Sequence, residues 1–129
     1  MLCFVFRLII FWLLGPWAVV ANLIGALIPF TGALLVNSVG HMPSFGYQTF
    51  NTGEKSTNVW WVAMLSLGEG WHNNHHAIPQ SARHGMKPLE FDLSWESLKL
   101  LKRVGLASEF RLPSSAVVEK KQKLDSISK

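Results

Sequence analysis

The stretch GEGWHNNHHAIPQSARHG, residues 68–85, holds four of the chain's five histidines. At its centre stands His72-Asn73-Asn74-His75-His76. Positions i, i+3 and i+4 share one face of a helix, so this spacing turns three imidazoles toward one side. Neutral imidazole is a ligand for iron, zinc, copper or nickel, and two rings on adjacent turns can hold one ion while a third reaches a second ion beside it. A solvated polar turn and a single structural zinc site are the plainer readings of the same residues. Upstream, Ser56 or Thr57 is placed to cap a helix that runs on to His76. That helix would carry Leu65, Gly68, Glu69, His72, His75 and His76 on one face. Gly68 and Gly70 weaken it by roughly 1 kcal/mol each relative to alanine, which implies the close approach of another backbone or of a bound chain.

Outward from this box the composition is lopsided. Residues 1–36 contain a single charge, Arg7, whereas eleven of the twelve Lys and Arg follow them. So apolar a run points to the bilayer. As one helix it would measure about 54 Å, well beyond a hydrocarbon core of about 30 Å, so it must break. Gly15-Pro16 is the place, because proline lacks the amide donor and restricts its predecessor. Trp12 and Trp17 flank the break, as interfacial aromatics do. Residues 17–36 are long enough to span, with Pro29 as a possible kink; residues 2–14 are not. The expectation is a hairpin over 1–36 whose first helix is truncated. A secretory signal peptide is the competing reading, but no small-x-small site follows the apolar run. Asn22 inside the span calls for a protein neighbour. Cys3, the lone cysteine, excludes an internal disulfide and a CxxC metal site. The net charge of +4 is spread among acidic residues, without a basic groove or an RNA-binding motif, which argues against a nucleic-acid partner. Basic residues beside a span belong on the cytoplasmic face against anionic headgroups.

Past the span, Asn37 and His41 stand at i and i+4, on one helical face at the height where the helix leaves the bilayer. A histidine at a helix C-terminus also simply complements the dipole. Residues 42–55, with Pro43, Gly46 and Gly53, read as a loop. Pro79 ends the box element and residues 81–85 read as a turn, which leaves His84 outside the metal shell. Ser94 begins an amphipathic helix with Leu98, Leu101 and Val104 on one side, closed by Gly105. Residues 111–129 are rich in serine, lysine and glutamate and are expected to be disordered.

The HxxHH pattern with its surroundings, GEGWHNNHHA followed by SARHG, resembles the third histidine box of the integral-membrane fatty acid desaturases, bacterial and plastid type, over residues 15–110. The Asn37-Ser38-Val39-Gly40-His41 run resembles the family's NSxxH element. The resemblance implies an all-α membrane protein with a helical, histidine-rich cap on the cytoplasmic or stromal side, of which residues 37–110 are the C-terminal part of the catalytic domain. It implies a di-iron (Fe2+) centre with His41, His72, His75 and His76 among the metal ligands and Asn37 in contact through water; Glu69, by its place on the histidine face, either orients a ligand imidazole or is simply a solvated helix glutamate. It implies the oxidation of an acyl-CoA, acyl-carrier or acyl-lipid chain by O2, with electrons from a ferredoxin or cytochrome b5 type donor, in a membrane of lipid. A membrane di-iron hydroxylase shares these boxes, and a non-catalytic membrane-anchored metal-binding fragment is the other alternative. The family's loop carries an arginine near a Gly-aromatic pair; here Gly46-Tyr47 is followed by Gln48. No HxxxxH and no second HxxHH occurs in residues 1–129, so the iron shell is expected to be incomplete and the chain inactive alone.

Overall fold

The computed structural model describes residues 1–127, with side chains through residue 122. All of its regular elements are helical among the described residues, apart from two isolated antiparallel bridges, Tyr47 with Asn58 and Asn58 with Trp71. The chain falls into two units, residues 1–32 and 33–129.

The first unit holds α1 (Leu2–Leu14) and most of α2 (Pro16–Val39). The break falls at the expected dipeptide: Gly15 adopts φ 82°, a left-handed conformation open to glycine, and Pro16 starts the next helix. Helix α1 has no buried residue. Helix α2 has 24 residues, with a mean hydropathy of 2.1 over an 18-residue window, and is long and apolar enough to cross a membrane. It runs through Val39, three residues past the expected end, with Pro29 inside it.

In the second unit a small core of Val36, Val59 and Val62 is covered by Leu35, Val39 and Trp61. Full burial of each valine contributes about 1.5–3 kcal/mol. The expected single helix over 56–76 is instead two short ones, α3 (Trp60–Leu65) and α4 (His72–Ala77). Between them Leu67 (φ 60°) and Gly68 (φ 121°) reverse the chain. A Cβ on Gly70 would collide with the backbone of Ala63, and one on Gly68 with the Asp92 carboxylate, so both glycines do serve close approach. Leu65, Gly68 and Glu69 therefore lie off the helix that carries the histidines. Nor do Ser56 and Thr57 cap α3, whose N-cap is Val59. Both are buried, and the backbone N–H of Thr57 donates to Gly40 O at 2.7 Å.

Helix α5 (Leu93–Arg103) starts one residue before Ser94, because the Asp92 carboxylate accepts from Trp95 N and makes Asp92 the cap. It ends in a Schellman arrangement: Leu106 N donates to Leu101 O at 2.9 Å and Gly105 N to Lys102 O at 3.1 Å, with Gly105 at φ 77°. Within the tail expected to be disordered, Ser115–Ile127 forms α6. The segment SAVVEKKQKLDSI lacks glycine and proline, and Lys121 Nζ donates to Ala77 O at the end of α4. Residues 128 and 129 of that expected tail lie outside the described residues.

Candidate metal centre

Two short pieces of chain bring the histidines together. Helix α2 stops at Val39, and its last turn is closed by Gly40 N to Val36 O and His41 N to Ser38 O. His41 therefore sits two residues beyond the helix end, while Asn37 lies in the last turn of α2. The exposed Asn37 amide donates to Ala33 O at 2.9 Å. His41, half-buried, points at α4. Its Nε2 lies 3.0 Å from His72 Nε2, which in turn lies 2.9 Å from His76 Nε2. Gly40 makes room: a Cβ there would stand 3.1 Å from the His72 ring.

The ligand atoms of His41, His72 and His76 all lie within 4.8 Å of one another. The three Nε2 atoms lie at hydrogen-bonding distance, and in the tautomers that turn their lone pairs inward a cation between them would satisfy all three. The tautomer of His76 fits that use, because its Nδ1 faces the Glu54 carboxylate, which favours the proton on Nδ1 and leaves Nε2 as the donor. His72 is buried. Burial, then the neighbouring His76, His41, His75 and His84, push its pKa down to about 4, so it stays neutral and able to ligate at physiological pH. The residues therefore fit a divalent metal of borderline softness.

His75 does not join this group. Its ring centroid is 6.3 Å from that of His72 and 5.8 Å from that of His76, but 4.7 Å from that of His84. His84, expected outside the metal shell, is not among the three clustered ligands, but its ring packs on that of His75. Burial and the adjacent His84 hold the His75 pKa below the usual histidine value, against the opposing effect of Glu69. Glu69 Oε2 stands 3.6 Å from His84 Nδ1.

Two residues that the spacing treats as filler hold the site in place. Asn73 and Asn74 are fully buried. Asn73 Oδ1 accepts from Thr49 N (2.7 Å) and Phe50 N (2.8 Å), and its Nδ2 donates to Phe50 O (2.9 Å). Asn74 Nδ2 donates to His84 O (2.8 Å) and Glu90 Oε2 (2.7 Å), while its Oδ1 accepts from Asn58 Nδ2 (2.8 Å). The buried carboxylates of Glu90 and Asp92 organise the 81–92 loop from inside. Glu90 accepts from Tyr47 OH, Met86 N and Lys87 N besides Asn74, and Asp92 from His84 N, Gly85 N and Trp95 N. Gln48 donates to Glu54 O and Ser56 O, which ties down the loop that carries Glu54.

Residues 1–111 match the family model described as fatty acid desaturase. The chain belongs to the fatty acid desaturase family. It is 55% identical over 78 residues to an sn-1 stearoyl-lipid 9-desaturase of Anabaena variabilis, an overlap of 60% of this chain and 28% of the relative. To the chloroplastic palmitoyl-monogalactosyldiacylglycerol delta-7 desaturase of Arabidopsis thaliana it is 52% identical over 82 residues, 64% of this chain and 22% of that one. To an acyl-CoA 5-desaturase of Anemone leveillei it is 51% identical over 85 residues, 66% of this chain and 26% of that one. The chain thus spans about a quarter of the length of the curated relatives it matches. The relatives are fatty acid desaturases, which are oxidoreductases acting in lipid metabolism, and the family is membrane-associated. No solved structure matches the chain.

Proposed function

We propose that this chain is the C-terminal part of a membrane fatty acid desaturase and contributes part of a di-iron centre that introduces a double bond into an acyl chain. The observation that supports this most is the meeting of His41, from the end of an apolar helix, with His72 and His76 of the HxxHH box. In this reading His41, His72, His75 and His76 hold iron, Asn37 contacts the centre through water on its free amide oxygen, and Glu69 is an outer partner. When bound, the two irons supply the activation of O2 and, with two electrons from a ferredoxin or cytochrome b5 type donor, the removal of two hydrogens from the acyl chain.

The chain's own residues do the preparatory work. His72 stays unprotonated, and Glu54 keeps the His76 proton on Nδ1. Helix α2 spans the bilayer, and the histidines belong on the cytoplasmic or stromal side. The substrate is an acyl-CoA, an acyl-carrier or an acyl-lipid, as the names of the relatives suggest. Two irons take about five or six donors each, more than these residues offer, so the chain by itself does not desaturate.

The test is expression in a desaturase-deficient host, once alone and once fused behind a segment that supplies HxxxxH and the second HxxHH. Unsaturated acyl chains are followed by gas chromatography in carbonate-washed membranes. Product from the fusion, lost on His72→Ala, is expected. No product from the fusion would remove the desaturase reading, and hydroxylated chains in its place would favour the hydroxylase. Product from the chain alone at the fusion's level would overturn the ligand count.

A further inference from the structure

The box accounts for three imidazoles and leaves His84 without a part. Its placement is nonetheless closely specified. The His84 backbone is held at both ends, its N–H donating to Asp92 Oδ2 at 2.7 Å and its carbonyl accepting from Asn74 Nδ2 at 2.8 Å. Asn74 is the neighbour of His75 on α4, so one short helix fixes both rings. Those rings lie with centroids 4.7 Å apart and planes tilted by 57°. His84 Nδ1 is 3.6 Å from Glu69 Oε2, an arrangement that favours the proton on Nδ1 and leaves the Nε2 lone pair free to ligate.

His75 supplies the second, independent observation. Its Nδ1 is buried and has no hydrogen-bond partner among the described residues. Leaving such a nitrogen unsatisfied costs about 1–3 kcal/mol, and buried polar atoms of this kind ordinarily have a partner. Ring packing against His84 gives it none. A cation does, and imidazole nitrogen is a good donor to divalent transition metals.

We propose that His75 and His84 form a second donor pair for a divalent transition-metal ion, beside the His41, His72 and His76 group, with Glu69 as the residue that orients His84. The proposal rests on the reading of that first group as a metal centre. It assigns a ligand outside the HxxHH spacing.

The test is a Co2+ titration of the purified full chain in detergent, followed by equilibrium dialysis and by the visible d–d absorption of bound Co2+. Wild type is expected to bind two Co2+ per chain. His84→Phe keeps a ring against His75 but removes both nitrogens, and is expected to bind one Co2+ with the bands of the first group intact. Glu69→Gln, which leaves both rings in place, is expected to retain both ions and weaken one of them by about 10-fold or more. His72→Phe should lose the other ion. If His84→Phe binds Co2+ with the stoichiometry, affinities and spectrum of wild type, His84 merely packs on His75 and the proposal is overturned, while the first group stands. If wild type binds no Co2+, or His72→Phe changes nothing, the metal-centre reading falls as well.

Discussion

Replacement of Asn74 by leucine tests whether the residues between the histidines build the site. Leucine keeps the branched shape of asparagine but is larger, so the substitution leaves no cavity at this buried site, and its crowding adds to the loss of the polar contacts. Three hydrogen bonds go: to His84 O, to Glu90 Oε2 and from Asn58 Nδ2. A neutral bond is worth about 1 kcal/mol net and one to a charged group about 1.5–3 kcal/mol. Asn58 Nδ2 keeps Thr49 Oγ1 at 3.1 Å, and Glu90 Oε2 keeps Met86 N and Lys87 N, which moderates two of the losses. The sum is about 3–5 kcal/mol, a large share of a stability of about 5–15 kcal/mol. At roughly 4 °C per kcal/mol or more for a unit of this size, the midpoint of heat-induced loss of the monodisperse peak in detergent should fall by about 12 °C or more. Asn74→Asp is the matched control. It keeps the acceptor for Asn58 but sets a carboxylate oxygen against Glu90, so at neutral pH it should destabilise about as much as leucine. A shift of only a few degrees for Asn74→Leu, or full recovery with Asn74→Asp, would refute the clamp.

Tyr47 is the only tyrosine in the chain, so its ionisation can be read directly at 295 nm. Burial, then the hydrogen bond to Glu90 and its charge, raise its pKa well above the usual tyrosine value. The folded protein should show no phenolate band at pH 11, the unfolded chain should titrate near 10, and stability should decline as pH climbs above about 10. A band at pH 10 in the folded protein would refute the Glu90 contact. For His72 the sign is opposite. Its pKa is depressed to about 4, so without metal the unfolded chain takes up the proton first and stability should decline as pH falls from about 6.5 toward 4. An imidazole resonance of His72 that titrates near 6.5 would contradict this.

The sequence carried the helical class and the break at Gly15-Pro16, because proline chemistry and residue spacing are local signals, whereas the meeting of His41 with the box was implied only by the resemblance of the NSxxH element. It carried the use of Gly68 and Gly70 as points of close approach for the same reason. What it did not carry depends on contacts between distant residues. The helix over 56–76 looked continuous, since nothing local reveals that Asn58 bridges Tyr47 on one side and Trp71 on the other. His84 looked remote because eight residues and a proline separate it from His76, whereas Asp92 and Asn74 fold that separation away. Glu54 stood in a loop and gave no hint that it would face His76. A usable signal was present in Asn73-Asn74: two poor helix formers side by side in a short helix are retained for their side-chain bonds.

Those two asparagines divide the labour of the box. Spacing i, i+3, i+4 determines only that three imidazoles emerge on one side of α4. Which nitrogen of each ring is left to ligate depends on what stands behind it, and the partners come from loops that α4 must hold. Asn73 binds the backbone at Thr49 and Phe50, the start of the loop that ends in Glu54, and Glu54 faces His76. Asn74 binds the backbone of His84, whose ring lies against His75. Each asparagine thus secures the segment that serves one of the two following histidines. His72, which precedes them, has no such partner among the described residues and instead meets His41 and His76 directly. A substitution at either asparagine should therefore disturb one histidine's surroundings before the other's, a division that the HxxHH pattern alone, with its two unspecified positions, does not contain.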